Sequence, residues 1–203
     1  MTSVIVGDII KSRTVMHQDE WLNTLKDALA EITVSSSQYE IFRGDSFQLE
    51  CSTPANAFVK AIYLKACIKQ INGLDVRLAI GIGEKSYEGA SVSESQGSAF
   101  ERSGHVFETL KKDRVNLKIS SGHKAFDREF NLYFKLALIA MDNWTVNSAE
   151  IVKLSLDNPD MIQAQLAELI GVKQDAVSKR QKRAYWDELQ DLDAMYRQKI
   201  SEL

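Results

Sequence analysis

The sequence has few cysteines and no long hydrophobic run. Cys51 and Cys67 are its only cysteines and are far apart, which excludes a disulfide scaffold and predicts reduced thiols packed in the interior. Apolar stretches are too short to cross a bilayer, and residues 1–10 do not resemble a signal peptide. We therefore predict a cytoplasmic protein that does not contact a membrane.

An overall excess of positive charge is also absent. The formal net charge is −3, so the chain as a whole has no general attraction for nucleic acid. Residues 171–184 differ, because Asp175 is their one acid and their cations are Lys173, Lys179, Arg180, Lys182 and Arg183. This balance favours phosphate contact confined to one segment, with a solvated helix face as the alternative.

The same segment carries the spacing of a helix-turn-helix. Ala167 suits a helix crossing, Gly171 a left-handed turn, and Val177 a small core in which we expect it to contact Leu166, Leu169 and Ile170. The second helix would begin near Gln174. The residues expected to face the major groove of DNA are Gln174, Asp175, Ser178, Lys179 and Lys182. The alternative is an ordinary helical hairpin with a glycine turn.

The preceding residues predict an α+β fold. Strands are expected at 3–7, 39–43, 47–50, 75–83 and 115–120, with helices near 21–32, 57–68 and 98–111 between them. The first six elements are in the order βαββαβ, which is typical of a ferredoxin-like split βαβ sheet with two helices on one face. We predict this domain over residues 1–122, a helical connector over 123–156, and an all-α helix-turn-helix domain over 157–203.

The C-terminal segment lacks helix breakers. No Gly or Pro occurs between Lys173 and Leu203, which predicts a long helix continuing from Gln174. Its apolar stripe is Tyr185, Leu189, Leu192, Tyr196, Ile200 and Leu203. We expect this stripe to pack on the helices of 125–156 or, as the second possibility, on another subunit of a homodimer.

Two Gly-Asp pairs are candidates for a metal site. Asp8 follows the first strand and Asp45 lies in the central hairpin, and these positions are neighbours in a split βαβ sheet. Converging carboxylates favour Mg²⁺ or Mn²⁺, and such an ion would bind the phosphates of a nucleoside triphosphate. The remaining nucleotide-binding candidates are Lys11, Ser12, Arg13 and Gly44. The alternative is that both aspartates are turn residues, and Gly81 and Gly83 are expected to permit close packing at a strand end.

Three motifs carry a resemblance to known families. They are Val-Ile-Val-Gly-Asp-Ile-Ile-Lys-Ser-Arg, Phe-Arg-Gly-Asp-Ser-Phe and Val-Arg-Leu-Ala-Ile-Gly-Ile-Gly. Over about the first 120 residues they resemble the palm of class III nucleotide cyclases and GGDEF domains. That resemblance implies two metal ions held by Asp8 and Asp45. The whole chain, with its C-terminal helix-turn-helix, more closely resembles the SatD family of bacterial proteins.

One departure bears on catalysis. Class III cyclases place an Asn and an Arg on the helix after the fourth strand, where this sequence has Glu101 and His105. Glutamate does not stabilise growing phosphate charge, which disfavours cyclase chemistry. The leading hypothesis is a cytoplasmic bacterial regulator that binds DNA and senses a Mg²⁺-bound nucleotide. The alternatives are a nucleotidyl cyclase or transferase with an accessory helix-turn-helix, and a non-enzymatic interaction module with a degenerate palm.

Overall fold

The computed structural model describes residues 1–14, 18–42 and 44–203, and within these ranges the chain has a five-stranded mixed sheet and eight α-helices. The strands are β1 (Thr2–Ile10), β2 (Tyr39–Phe42), β3 (Ser46–Cys51), β4 (Asp75–Gly83) and β5 (Leu117–Ser120). The helices are α1 (Gln18–Ile32), α2 (Ala57–Lys69), α3 (Ser98–Asp113), α4 (Lys124–Met141), α5 (Val146–Asp157), α6 (Gln163–Leu169), α7 (Gln174–Ala184) and α8 (Trp186–Ser201). The predicted α+β class is confirmed.

The sheet places β3 between β1 and β2. The strand order is β2-β3-β1-β4-β5, with β1 antiparallel to both β3 and β4, and β4 parallel to β5. The order of the first six elements agrees with the predicted βαββαβ. Arg43, which we expected at the end of the second strand, lies outside the described residues.

The first strand is longer than predicted. We expected it to end at Gly7 with Asp8 leaving the sheet, but β1 continues to Ile10, which pairs with Asp75 of β4. The extension keeps Asp8 inside the sheet, where its charge is balanced by Arg77, its register partner on β4. The strand therefore continues through Asp8, because Arg77 compensates the charge of its carboxylate.

Alternate residues of β1 point to opposite faces of the sheet. Ile5 and Ile9 point into the main core, which also contains most of α2 and the α1 residues Trp21, Leu25, Ala28 and Leu29. Val4 and Val6 point to the other face and pack with Ala99 of α3. Asp8 follows Val6 by two residues and therefore lies on the same, α3 side of the sheet.

A glycine in β4 lets α3 approach the sheet closely. A Cβ added at Gly81 would lie 2.1 Å from the Ala99 carbonyl oxygen and 2.4 Å from the Ser103 amide nitrogen. Both are backbone atoms, so α3 would have to move to accommodate any side chain. The prediction that this glycine serves close packing is confirmed.

Helix α8 packs against α2 and α4 through an aromatic cluster. Tyr196 is fully buried among Phe58, Phe130 and Phe134, with ring centroids 5.5 to 6.3 Å from its own. Its hydroxyl donates a hydrogen bond to the Pro54 carbonyl at 3.0 Å. The middle of the C-terminal stripe therefore packs within the chain, as the first of our two expectations stated.

A buried lysine ties three parts of the fold together. Lys65 of α2 is 1 % exposed, and its Nζ lies 2.6 Å from a carboxylate oxygen of Asp75 and 2.6 Å from one of Asp142. Asp75 begins β4 and Asp142 follows α4. Because each carboxylate is partnered, the buried ammonium is compensated, and α2 is fixed to both elements.

The predicted continuous C-terminal helix is wrong. Helix α7 ends at Ala184, Tyr185 adopts a left-handed conformation with φ 56°, and α8 begins at Trp186. The Ala184 carbonyl accepts a 3.0 Å hydrogen bond from Trp144 Nε1, which takes the place of a partner within the helix. We attribute the break to this tertiary contact, because the sequence near Tyr185 has no Gly or Pro that would end a helix.

The main hydrophobic core is continuous from Ile5 of β1 to Ile200 of α8. The predicted boundaries at 122/123 and 156/157 stay predictions. Across the described ranges, each helix is too short or too polar to cross a membrane.

Candidate functional site

Helices α6 and α7 meet at the residues that the sequence singled out. Ala167 and Val177 are buried, at 3 % and 0 % exposure, and Gly171 between the helices has φ 65°. The Val172 amide donates to the Ala167 carbonyl at 3.0 Å, which closes the end of α6. A left-handed φ of this size favours glycine, because it carries no Cβ.

One expectation about this small core is wrong. Leu169, which we expected beside Val177, is 55 % exposed, while Leu166 is buried and Ile170 is partly buried. Leu169 follows Leu166 by three residues at the end of a seven-residue helix, and the chain turns away at Ile170 before another element covers it. The core at this end instead includes Ile151 and Val152 of α5.

The outward face of α7 is polar and exposed. The five residues predicted to contact DNA are all exposed: Gln174, Asp175, Ser178, Lys179 and Lys182. Lys179 and Asp175 form an ion pair at 2.7 Å with both side chains more than 60 % exposed. An exposed pair of this kind is held by little free energy, so Lys179 is available to another anion.

Not every cation of α7 faces outward. Arg180 is paired with Glu150 of α5 at 2.5 Å, and Gln181 donates to Ser155 at 3.0 Å and accepts from Gln163 at 2.9 Å. These contacts fix the inner face of α7 to α5 and α6. The exposed cations of the segment are Lys173, Lys179, Lys182 and Arg183.

At the second candidate site, Asp8 is held by an arginine that we did not predict. Arg77 Nε donates to Asp8 Oδ1 at 2.8 Å and Nη2 donates to Oδ2 at 2.5 Å. The side chains are 18 % and 12 % exposed. The sequence signal was available: Arg77 is a charged residue between the apolar residues Val76 and Leu78 of β4, and its pairing with Asp8 follows once the register is known.

Asp45 lies next to β1, as expected of a hairpin residue in this topology. Its carbonyl accepts from the Ile9 amide at 2.9 Å, and its carboxylate accepts from the Ser12 hydroxyl at 2.7 Å. Ser46, the residue after Asp45, is the register partner of Asp8. The structure thus brings the backbones of Asp8, Ser12 and Asp45 into one neighbourhood, in which the side chains of Ser12 and Asp45 are in contact and that of Asp8 is paired with Arg77.

The other nucleotide candidates surround this neighbourhood. Lys11 has φ 65° and is exposed, Arg13 is exposed in a short 3₁₀ turn, and Gly44 is exposed with φ 85°. A left-handed Lys is uncommon, since its Cβ is then crowded. The conformation turns the chain directly after β1 and sets Ser12 toward Asp45.

The carboxylates at this site do not form a metal centre by themselves. Among the described residues, no group of three or more His, Cys, Asp or Glu side chains could hold a metal ion. Both Asp8 oxygens accept from Arg77, so an ion would have to displace that guanidinium. An ion at this position would therefore have to take most of its ligands from phosphate and water.

The helix that faces this side of the sheet offers no arginine at the expected position. Glu101 and His105 of α3 are both exposed. Arg102, the residue after Glu101, turns back to β4 and donates to the Ile82 carbonyl at 2.6 Å. Arg102 therefore has a structural contact, and the departure from the cyclase pattern remains.

A second polar contact on the Asp8 side of the sheet was also missed. Glu50, the register partner of Val4, accepts from Thr2 at 3.0 Å and from Lys85 at 2.8 Å. Glu50 raises the pKa of Lys85 by accepting this hydrogen bond. Lys85 lies in the loop after β4, and its distance from Glu50 in the sequence gave no signal of the pairing.

Comparison with known proteins bears on most of the chain. The sequence matches no curated protein. The model of the SatD family matches residues 3–187, which include the sheet, the connector and α6 and α7. The chain therefore belongs to the SatD family.

Proposed function

We propose that this protein is a DNA-binding regulator that inserts α7 into the major groove. The observation that carries the proposal is that one face of α7 is held by contacts to α5 and α6, while the opposite face is exposed. Val177 and the Arg180–Glu150 pair hold α7 against α5 and α6. Gln174 and Ser178 point away from these contacts and are exposed, as base-reading residues must be.

Local charge supports the same proposal. Lys173, Lys182 and Arg183 are exposed at the ends of α7, where the phosphates on either side of a groove would lie. The chain has a net charge of −3, so binding would be limited to this surface. Each phosphate contact lowers the logarithmic slope of affinity against salt by about 0.9.

The experiment is fluorescence anisotropy of the full chain on mixed-sequence duplex DNA across a salt series. Lys182→Ala/Arg183→Ala is expected to weaken binding at every sequence and to reduce the salt slope by about 1.8. Lys111→Ala/Lys112→Ala is the matched control, because it removes two exposed cations from α3. Equal slopes for the two double variants would refute the assignment of α7.

The second candidate function is nucleotide sensing at the Asp8–Asp45 neighbourhood. It is favoured by the adjoining positions of Asp8, Ser12 and Asp45 and by the exposure of Lys11 and Arg13. A Mg²⁺ or Mn²⁺ ion would be held by the two carboxylates and by the triphosphate of the nucleotide, with Lys11 and Arg13 contacting phosphate oxygens. The metal would supply charge neutralisation for those phosphates.

Thermal unfolding with ATP or GTP, with and without Mn²⁺, tests the nucleotide site. A ligand at 100 times its Kd stabilises the fold by about 2.7 kcal/mol. For a chain of this size we expect a Tm increase of about 5 to 10 °C. The increase should need both metal and nucleotide, vanish in Asp45→Asn, and persist in Asp160→Asn, an exposed turn residue. An unchanged Tm under every condition would reject nucleotide sensing.

A homodimer would complete the regulator. Leu132, Leu136 and Ile139 form an exposed apolar row on α4, at 55 to 68 % exposure, and Tyr185 lies beside it. A second copy seated on this row would cover it and supply two α7 helices for a two-fold DNA site. Sedimentation should detect a dimer that Leu136→Glu dissociates and Lys135→Glu does not.

A further inference from the structure

A cavity of about 370 Å³ lies where the end of β1 meets the connection between α4 and α5. Ile10 and Lys11 line it from β1, and Asp142 and Trp144 line it from that connection. Residues 72–74, in the turn between α2 and β4, form a third wall. The volume is in the range of small-molecule sites, so the junction of the sheet with the helices after it has room for a ligand.

Most residues that line this cavity are polar. Asn72 and Asn116 supply side-chain amides, and Thr145 supplies a hydroxyl. Asn116 uses its Nδ2 to donate to Asp142 Oδ2 at 3.0 Å, which leaves its Oδ1 as an acceptor for a ligand. Asn72 and Thr145 are exposed. A lining of amides and hydroxyls is suited to a ligand whose body is rich in hydroxyl groups, and not to an apolar ring.

Both carboxylates in the lining already have partners within the chain. Asp75 accepts from Lys65 Nζ at 2.6 Å and from the Val76 amide at 2.7 Å. Asp142 accepts from the same ammonium at 2.6 Å. Lys65 is 1 % exposed and does not itself line the cavity. Because this buried ammonium compensates both acids, their charges do not exclude an anion from the cavity.

Two further lysines line the cavity and give it an excess of positive charge. Lys69 is 12 % exposed and donates to the Asp142 carbonyl at 2.6 Å, which engages one of its three ammonium hydrogens. Lys11 is exposed. Three ammonium groups, those of these two residues and of Lys65, are therefore balanced by only two carboxylates. The local charge favours an anion, and lysine ammonium groups are common ligands of phosphate.

One wall of the cavity is also the residue that caps the end of α7. Trp144 is 5 % exposed, and its Nε1 donates to the Ala184 carbonyl at 3.0 Å. An occupant of the cavity would therefore contact the side chain that fixes the end of the proposed recognition helix.

We propose that this cavity binds a small phosphate ester with a hydroxyl-rich body. The phosphate accepts hydrogen bonds from Lys11 and Lys69, and the hydroxyl groups contact the two lining amides. The cavity shares Lys11 with the Asp8–Asp45 neighbourhood, but its ligand needs neither a metal ion nor a nucleotide base. Contact with Trp144 links occupancy of the cavity to the position of α7. Any effect on DNA rests on the proposed function of α7, whereas the binding itself does not.

The test is calorimetric titration of the full chain with glucose 6-phosphate, with glucose and with inorganic phosphate, all without added metal. The ester is expected to bind at least about tenfold more tightly than either fragment, because one hydrogen bond to a charged group is sufficient for that ratio. Lys11→Gln removes one phosphate contact and should lower the affinity for the ester about tenfold. Lys26→Gln, which changes an exposed lysine of α1 outside the lining, should leave the affinity unchanged.

A blocking variant and a fluorescence signal test the location. Val146→Trp adds a large side chain at an exposed lining residue and should abolish binding of the ester while circular dichroism stays unchanged. In Trp21→Phe/Trp186→Phe, Trp144 is the one remaining tryptophan, and glucose 6-phosphate should change its emission.

The proposal is overturned if the ester does not bind or binds no more tightly than glucose or inorganic phosphate. It is also overturned if Lys11→Gln or Val146→Trp binds the ester like the wild type, or if the emission of Trp144 does not respond. The probes are not nucleotides, and none of these measurements involves metal or DNA. Failure here is therefore distinguishable from failure of the nucleotide site and of the α7 proposal.

Discussion

The carboxylate of Asp8 and the guanidinium of Arg77 form a two-pronged ion pair across β1 and β4, at 2.8 and 2.5 Å, between residues that are register partners. Both side chains are less than one-fifth exposed. The pair explains why the central strand continues through a charged residue. It also occupies both oxygens of the Asp8 carboxylate, so a metal ion would have to displace Arg77 to bind there.

Arg77→Gln should destabilise the protein because it leaves Asp8 buried without its counter-charge. We expect a loss of about 3 kcal/mol in the free energy of unfolding, measured by urea denaturation. Asp8→Asn/Arg77→Gln should recover part of this loss, since the buried charge is then absent. A double variant as unstable as the sum of the single variants would show that the two side chains do not interact.

Lys65→Met should be among the most destabilising substitutions in the chain. It removes the ammonium that two carboxylates share, those of Asp75 and Asp142, and the loss should be about 3 to 5 kcal/mol. Lys60→Met, a half-buried lysine on the same helix, is the matched control and should cost less than 1 kcal/mol. Similar losses for the two variants would contradict the role assigned to the Lys65 cluster.

The two thiols should react slowly in the folded protein. Burial raises the pKa of Cys51 to about 11 and that of Cys67 to about 12, so little thiolate forms at pH 8. A thiol reagent should modify both only on unfolding in urea. Rapid modification of the native protein at pH 8 would show that the thiols are accessible.

The two buried thiols also make the free energy of unfolding fall as the pH rises. The folded pKa values lie above the unfolded one, so the thiols' contribution is complete below about pH 8.5 and is lost as pH rises through the folded values. The free energy of unfolding should therefore fall between about pH 9 and 11. Cys51→Ala/Cys67→Ala should show a smaller fall over the lower half of that range.

Two glycine substitutions should differ because their causes differ. At Gly171 an added Cβ meets open space, so Gly171→Ala carries only the conformational cost of a left-handed residue, about 1 kcal/mol. At Gly81 the Cβ would collide with the backbone of α3, so Gly81→Ala should cost more. Denaturation midpoints that ranked them in the opposite order would contradict this packing of α3.

Local patterns predicted most of the helices and strands, because residues within each segment determine where it begins and ends. The β4 bounds follow from a run of apolar residues, and the α6–α7 turn follows from Gly171, whose φ of 65° few other residues adopt. The misses depend on distant partners. Asp8 stays in β1 because of Arg77, α7 ends because Trp144 binds the Ala184 carbonyl, and Leu169 is exposed because no element covers it.

The two candidate sites, like the fold, were predicted where local patterns determine them and missed where distant partners do. Topology alone places Asp8 beside the hairpin of Asp45, and helical spacing alone places Gln174 and Ser178 on one exposed face. Arg180 belonged to the basic segment in the sequence but is paired with Glu150, and only the packing of α5 on α7 reveals that. Charge counted along a chain overstates the charge that a surface presents.

The most direct test of the central claim is selection of bound sequences from a random duplex library by the wild type and by Gln174→Ala/Ser178→Ala. The account predicts that the wild type enriches a defined site and that the variant loses or changes it, because these exposed side chains would read base edges. Enrichment of no sequence by the wild type, or of the same sequence by both proteins, would contradict DNA recognition by α7.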